Sequence, residues 1–80
     1  MTVYEYKALD KEQQYNMLWN KGVFLAGRIY KKHNYLLYQI EGFYVELKYN
    51  SGFKILELRS FVNVNRLAPY LRLINLPPFD

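Results

Sequence analysis

Few residues of this 80-residue chain could take part in catalysis, and the sequence pattern keeps them apart. Nucleophilic catalysis needs a hydroxyl or thiol within reach of a base, and the chain has no cysteine and a single histidine. We predict that Thr2 lies in an N-terminal arm, Ser60 in a strand, and Ser51 and His33 in two different turns. The sequence therefore favours a protein that is not an enzyme, and a small enzyme with an unrecognised site is kept only as a residual hypothesis.

The acidic residues do not form a catalytic pair either. Glu46 and Glu57 are expected close together on one sheet face, with Lys48 and Arg59 near enough to neutralise both, as in a solvated cross-strand network. The four glycines are isolated, so no glycine-rich phosphate loop is present. Without cysteine and with one histidine, a metal site is not expected. We predict no cofactor.

Composition indicates one small folded domain spanning residues 1–80. Half of the residues (51%) are hydrophobic and 19% are aromatic, which is typical of a globular protein. The net charge of +4 is compatible with polyanion binding, but a charge of this size also simply keeps a small domain soluble. The N-terminus does not resemble a signal peptide, and no apolar run approaches the ~20 residues of a membrane span. We expect a soluble, cytoplasmic, bacterial-type domain that does not contact a membrane.

Alternating side chains from Val23 to Phe61 predict a four-stranded antiparallel meander. The strands are expected at about 23–30, 35–40, 43–49 and 54–61. We call the more apolar face of this sheet the inner face and the opposite one the outer face. The predicted inner layer contains Val23, Leu25, Ile29, Leu36, Tyr38, Ile40, Phe43, Val45, Leu47, Tyr49, Leu56 and Leu58.

The middle hairpin is the clearest of the three. Glu41-Gly42 fits the centre of a two-residue type I′ turn, which fixes the register of the flanking strands. The predicted inner pairs are Ile40 with Phe43, Tyr38 with Val45 and Leu36 with Leu47, and the outer pairs are Gln39 with Tyr44 and Leu37 with Glu46.

The two other hairpins are assigned from charge and burial. A type II′ turn centred on Gly52-Phe53 predicts the pairs Leu47–Leu58, Tyr49–Leu56, Lys48–Glu57, Glu46–Arg59 and Tyr44–Phe61. A four-residue first turn over residues 31–34 predicts Ile29 opposite Leu36, Leu25 opposite Ile40, and Gly27 opposite Tyr38.

Two helices are predicted to cover the inner face, which gives an α+β fold. Asp10 is a candidate N-cap with Gln13 three residues later, so a helix is expected over about residues 11–21. Tyr15, Leu18 and Trp19 fall on one side of it, with Trp19 interpreted as a core residue. Gly22 is expected to end this helix in the left-handed conformation.

The second helix is predicted over about residues 66–75. Leu67, Tyr70, Leu71 and Ile74 repeat at helical spacing, with Pro69 in the first turn. Residues 2–8 are ambiguous between a short edge strand and an ordered arm.

The outer face has too many apolar residues for a surface simply turned to water. Such a patch is typical of a partner site, and a protein partner or a homodimer is the leading hypothesis. The alternative explanation is that the arm at residues 1–8 or the tail at 76–80 covers it. The predicted interface residues are Phe24, Arg28, Tyr30, Tyr35, Leu37, Tyr44, Arg59 and Phe61.

Single-stranded nucleic acid is the second hypothesis for a partner. The outer-face aromatic rings could stack on bases, while basic residues contact phosphates. Against this, Glu46 and Glu57 lie in the middle of the proposed platform. The predicted polyanion contacts are Lys31, Lys32, His33 and Lys48.

The segments 18–25, 36–46 and 59–61 resemble a group of small uncharacterised bacterial proteins. The resemblance extends from about Asp10 to Ile74 and rests on general likeness, with no diagnostic motif. It implies a compact bacterial domain and carries over no functional residue.

Overall fold

The computed structural model describes residues 1–71, with the side chains of residues 1–70. Three helices, a 3₁₀ helix and four strands follow one another along the chain. They are α1 (Val3–Ala8), α2 (Lys11–Lys21), β1 (Val23–Tyr30), β2 (His33–Ile40), β3 (Phe43–Tyr49), β4 (Ile55–Phe61), the 3₁₀ helix (Val64–Leu67) and α3 (Ala68–Leu71). The strands form one antiparallel sheet in the order β1-β2-β3-β4, so the predicted α+β fold with a four-stranded meander is confirmed.

The middle hairpin has the predicted register throughout. Ile40 pairs with Phe43, and the five predicted pairs between β2 and β3 all occur. The turn itself has two residues, but it is not type I′, because Glu41 has a positive φ of 48° and Gly42 does not.

The hairpin between β3 and β4 is confirmed except at its tip. Leu47, Lys48, Glu46 and Tyr44 each face the partner that was predicted for them. After Lys48 the register shifts, so that Tyr49 pairs with Ile55. As a result Ile55 packs against the inner core, whereas Leu56, predicted to be buried, is exposed.

The predicted four-residue turn between β1 and β2 is wrong. Lys31 and Lys32 form a two-residue turn, both with positive φ, and β2 begins at His33. Gly27 therefore lies opposite Leu36 and Ile29 opposite Asn34, two positions from the predicted register. Lysine rarely occupies the left-handed region, so the residue types at this turn do not indicate the short loop.

A β-bulge at Leu25 changes the face of the residues before it. Phe24 pairs with Tyr38, so it lies on the inner face and not, as predicted, on the outer face. Its ring meets that of Tyr38 edge-on, with centroids 5.6 Å apart. Val23, predicted to be buried, pairs with Gln39 and is exposed. The extra residue shifts the alternation of side chains along β1 by one position, so Val23 and Phe24 each lie on the face opposite to the predicted one.

The N-terminal residues form neither a strand nor an extended arm, because residues 3–8 are helical. Thr2 and Glu5 build a capping box that begins α1. Val3 and Tyr6 are buried in the inner core. The Tyr6 hydroxyl donates to the backbone oxygen of Gln14 at 2.8 Å, and the Gln14 side-chain Nε2 donates to the backbone oxygen of Tyr6 at 3.0 Å. These two reciprocal bonds fasten α1 to α2.

Helix α2 has the predicted bounds and the predicted cap. The Asp10 carboxylate accepts from the backbone N–H of Gln13 at 2.8 Å, and the Gln13 side chain returns a bond to Asp10. Leu18 is buried, but Trp19 is 52% exposed and therefore not a core residue. Gly22 is extended (φ −74°) instead of left-handed. A Cβ on Gly22 would lie 2.4 Å from the backbone oxygen of Leu18, so close approach explains this glycine.

The C-terminal helical segment lies on the outer face, not on the inner face as predicted. It begins earlier than expected, with the 3₁₀ helix, and continues into α3, where Pro69 occupies the first turn. Tyr70 is fully buried against Ala26, Leu37 and Phe61. The predicted part of this helix beyond residue 71 lies outside the described residues. The fold thus has three layers: α1 and α2, the sheet, and the C-terminal segment. Helix α1 also contacts β4, and α3 contacts β1.

Candidate functional site

The N-terminal helices cover only one half of the inner face. Beneath them lie Ile40, Phe43, Val45 and Leu47, all 1% exposed or less. Helix α2 is ~16 Å long, whereas an eight-residue strand spans ~26 Å. Because the helices lie towards the turn between β2 and β3, the opposite half of the inner face is left open.

This uncovered half forms a shallow groove of about 640 Å³, which we call the open groove. It runs across β1, β2 and the tip of the β3–β4 hairpin. Its lining residues are Gly27, Arg28, Ile29, Asn34, Leu36, Tyr49 and Phe53. Arg28 is the one charged residue in this lining among the described residues, so the groove offers an apolar contact surface.

Phe53 projects from the rim of the open groove in an unusual conformation. It is 82% exposed, and its backbone lies in the left-handed region with φ 62°. Asn50 holds the loop around it, because its side-chain oxygen accepts from the backbone N–H groups of Gly52 and Lys54 at 2.9 and 3.0 Å. A bulky side chain in this region costs about 1–3 kcal/mol. An exposed aromatic ring thus occupies a site where glycine or asparagine would fit better.

Strand β1 forms one edge of the sheet and joins the groove to further exposed apolar side chains. Ile29 is 78% exposed, and Phe24, Leu25 and Tyr30 are also exposed. Arg28 is the single charged residue of this strand. Strand edges are usually protected by lysine, proline or a covering element, because their free backbone groups can pair with another chain.

The interface predicted on the outer face is largely beneath the C-terminal segment. Leu37 and Phe61 are buried under Tyr70, and Tyr35 and Tyr44 are partly buried. The Tyr44 and Phe61 rings stack with centroids 5.7 Å apart. Of the eight predicted interface residues, those left exposed are Phe24, Tyr30 and Arg59, with Phe24 on the inner face.

Arg28 lies at the centre of a polar cluster between the C-terminal segment and the outer face of the sheet. The Tyr70 hydroxyl donates to Glu46 Oε2 at 2.5 Å, and Arg28 Nη2 lies 3.8 Å from the same oxygen. The Arg28 guanidinium also lies 4.2 Å from the centre of the Tyr35 ring. Burial, together with the Glu46 carboxylate, raises the pKa of Tyr70 far above its usual value of 10. The hydroxyl therefore remains a donor, and the cluster fastens α3 to the sheet.

The predicted polyanion contacts are not gathered into one site. Lys31 and Lys32 form the tip of the first hairpin, with Lys31 Nζ 5.3 Å from the centre of the Tyr30 ring. His33 begins β2. Lys48 lies on the outer face opposite Glu57, 6.0 Å from the Tyr35 ring centre.

A different set of basic residues does converge, at the junction of α1, α2 and β4. We call it the basic cleft, a depression of about 280 Å³. Its lining residues are Lys7, Lys11, Gln14, Leu58, Arg59, Ser60 and Arg66. Sequence reasoning missed it, because these residues are far apart in the chain and α1 was not recognised as a helix. The spacing of Thr2 and Glu5 was the signal that could have revealed α1.

Within residues 1–71, no three metal-ligating side chains lie close enough together to hold an ion. The helices in that range are also too short or too polar to span a membrane. No family model, curated protein or solved structure matches the chain. The resemblance to small bacterial proteins therefore stays a prediction, and any functional proposal has to rest on the surfaces described above.

Proposed function

We propose that this chain is a non-enzymatic interaction module that self-associates through the open groove and the adjoining edge of β1. The observation that carries the proposal is Phe53, an 82% exposed aromatic ring held at φ 62° on the rim of an apolar groove. Backbone strain that persists in a folded protein is concentrated at functional positions. An aromatic side chain that enters an apolar pocket is the usual anchor of a protein interface.

The groove favours an uncharged partner surface. No acidic residue is among its lining residues within the described chain, and its one cation, Arg28, lies beside Glu46 on the opposite face. A charged ligand would lose hydrating water in the groove and find no unpaired opposite charge there, because Arg28 is already beside Glu46. The partner surface that complements the open groove is apolar and carries an exposed aromatic ring. The open groove of a second copy, with its own Phe53, is such a surface. A two-fold arrangement would let each Phe53 contact the groove of the other copy.

The edge of β1 supports the same partner. The exposed side chains of Phe24 and Ile29 continue the apolar inner face along this edge, so a second copy seated over the open groove would bury them as well. The outer face gives less support for an interface, because Leu37 and Phe61 are buried beneath the chain's own C-terminal segment.

Nucleic-acid binding by aromatic stacking is less favoured than self-association. Phe61 is buried in the cluster that contains Tyr70, and Tyr35 and Tyr44 are partly buried against this cluster, so these rings would have to be uncovered before a base could stack on them. A catalytic role has no convergent set of acid, base and nucleophile to support it within residues 1–71. A cytoplasmic location remains part of the proposal.

The test is the solution mass by light scattering over a concentration series, at low and moderate salt. We expect the mass to rise from one chain to two, and the dimer to persist in salt because apolar contacts are not screened. Phe53→Asn should weaken association at least about tenfold, as the loss of an anchor residue does. The same variant should raise the free energy of unfolding of the monomer by about 0.5–1 kcal/mol, because asparagine tolerates positive φ.

Val64→Asn is the matched control, since it also replaces an exposed apolar side chain by asparagine but lies in the 3₁₀ helix, away from the open groove. It should dimerise like the wild type. A wild-type protein that stays monomeric would contradict self-association and leave a different apolar protein as the partner to seek. Equal dimerisation of wild type and Phe53→Asn would contradict the role of the groove.

A further inference from the structure

We propose that the basic cleft binds a phosphate-bearing anion, a function separate from the self-association proposed above. Four cationic side chains from four different elements surround this cleft. Lys7 comes from the last turn of α1 and Lys11 from the start of α2. Arg59 comes from β4 and Arg66 from the 3₁₀ helix. The fold therefore brings together charges that are up to 59 residues apart in the sequence (66 − 7).

The lining of the basic cleft carries no compensating negative charge among the described residues. Leu58, Ser60 and Gln14 complete it. Arg59 Nη2 lies 3.0 Å from the Glu57 carboxylate in an ion pair that is about half exposed to water. Within residues 1–71, Lys7, Lys11 and Arg66 take part in no ion pair. Like charges gathered around one depression repel one another, and a bound anion would remove that repulsion.

Lys11 is the first residue of α2 and lies at the positive end of the helix dipole, where a cation is unfavourable. Asp10, the N-cap, and Glu12 flank it in the sequence and offset part of this cost. A bound anion beside Lys11 would offset more of it.

The donor types fit phosphate better than a carboxylate. Arg66 can present two parallel N–H donors to a pair of phosphate oxygens, and the two lysines act as compact point charges. Arg59, whose Nη2 is paired with Glu57, adds a partly neutralised charge. Ser60 offers a hydroxyl at the same cleft. Four cations around about 280 Å³ suit a compact, multiply charged group such as pyrophosphate or the terminal phosphates of a larger molecule.

The cleft also continues towards the outer face. Arg59 and Arg66 line a neighbouring depression of about 370 Å³ together with Arg28, Glu46, Phe61, Asn65 and Pro69. A phosphate held in the basic cleft could therefore belong to a larger molecule whose remainder lies over Phe61 and Pro69. Free phosphate compounds and the phosphates of a nucleic-acid strand share this chemistry, and the experiment distinguishes them.

The experiment titrates pyrophosphate into the full chain by calorimetry, with Lys11→Gln/Arg66→Gln as the site variant. The control is Lys32→Gln/Lys54→Gln, which removes the same two charges from exposed turn positions. We expect the site variant to lose at least about tenfold in affinity and the control less than about threefold, because a direct charged hydrogen bond outweighs a screened long-range charge. Circular dichroism checks that both variants are folded.

Two results would overturn the proposal: a wild-type protein that does not bind pyrophosphate, or equal losses in the two variants. The second arm measures a fluorescent single-stranded oligonucleotide. If the strand binds, pyrophosphate displaces it and the site variant loses it, the phosphates of a nucleic acid are the source. If pyrophosphate binds and the strand does not, the ligand is a small phosphate compound.

Discussion

The two halves of the inner face are built from the same strands but have opposite surroundings. Under α1 and α2, residues such as Val45 and Leu47 are fully buried and surrounded by apolar side chains. The open groove begins directly beside them, because it is bordered by Leu36, the cross-strand partner of Leu47, and by Tyr49, two residues farther along β3. The difference arises because the N-terminal helices are short, so the sheet is longer than its cover. The small core therefore lies under one half of the inner face, and the other half stays open.

The largest difference between the halves should appear when the same charge is placed in each. Leu47→Glu puts a carboxylate where no partner exists, and we expect it to lower the free energy of unfolding by more than about 4 kcal/mol and so unfold the protein. Ile29→Glu, at an exposed position of the open groove, should change it by less than about 0.5 kcal/mol. Urea denaturation followed by circular dichroism measures both. Similar behaviour of the two variants would mean that the halves are not distinct.

A smaller test compares two glycines, one in each half. A Cβ on Gly22 would lie 2.4 Å from the Leu18 backbone oxygen, so Gly22→Ala has to shift the last turn of α2 or the backbone at residue 22. The atom closest to a Cβ on Gly27 would be the end of the Leu36 side chain, at 3.1 Å, and the Tyr35 backbone oxygen would be at an ordinary contact distance of 3.6 Å. We expect Gly22→Ala to destabilise the protein by about 1–3 kcal/mol and Gly27→Ala to be nearly neutral. Thermal unfolding of the two variants decides this, and a cost at Gly27 as large as at Gly22 would refute it.

The smallest effect concerns the bonds that hold the two helices over the covered half. Tyr6→Phe removes the bond from the Tyr6 hydroxyl to Gln14 and should cost about 1 kcal/mol at pH 7. Burial, with a contribution from Tyr15, raises the pKa of Tyr6 to about 12. Below pH 10 the hydroxyl is protonated in both the folded and the unfolded chain, so its contribution to stability is complete.

Between pH 10 and 12 the unfolded chain loses the Tyr6 proton while the folded chain keeps it. Stability must therefore fall as pH rises through this range. The free energy of unfolding of Tyr6→Phe should fall less steeply than that of the wild type. Some dependence should remain in the variant, because burial also raises the pKa of Tyr38, Tyr49 and Tyr70. Urea titrations at several pH values from 9 upward test this, and identical slopes would contradict it.

The regular parts of the fold could be predicted from the sequence, because period-two alternation and cross-strand charge pairs determine register. The pairing of Ile40 with Phe43 and of Lys48 with Glu57 follows from such local rules. The bulge at Leu25 and the left-handed turn of Lys31-Lys32 could not be predicted in this way. No residue type there favours the observed conformation, and tertiary packing decides it.

The candidate sites were less predictable than the sheet. The open groove exists because α1 and α2 leave part of the inner face bare, and the sequence predicts a strand or an arm where α1 lies. The position of Tyr70 on the outer face depends on how the chain turns after Phe61. Apolar periodicity indicates that a helix buries one side, but it does not indicate which face of a sheet it meets. Phe53 was correctly placed in a turn, yet its exposure and conformation required the structure.

The order of the strands also has a kinetic consequence. Each strand pairs with its neighbour in sequence, so every hairpin can form by closing a short loop, and such local topologies fold quickly. The contacts of α1 with β4 and of α3 with β1 join parts of the chain that are far apart, and closing these long loops costs the most entropy. We therefore expect the meander to assemble first and the two ends of the chain to dock last, so that during folding both faces of the sheet are briefly as bare as the open groove.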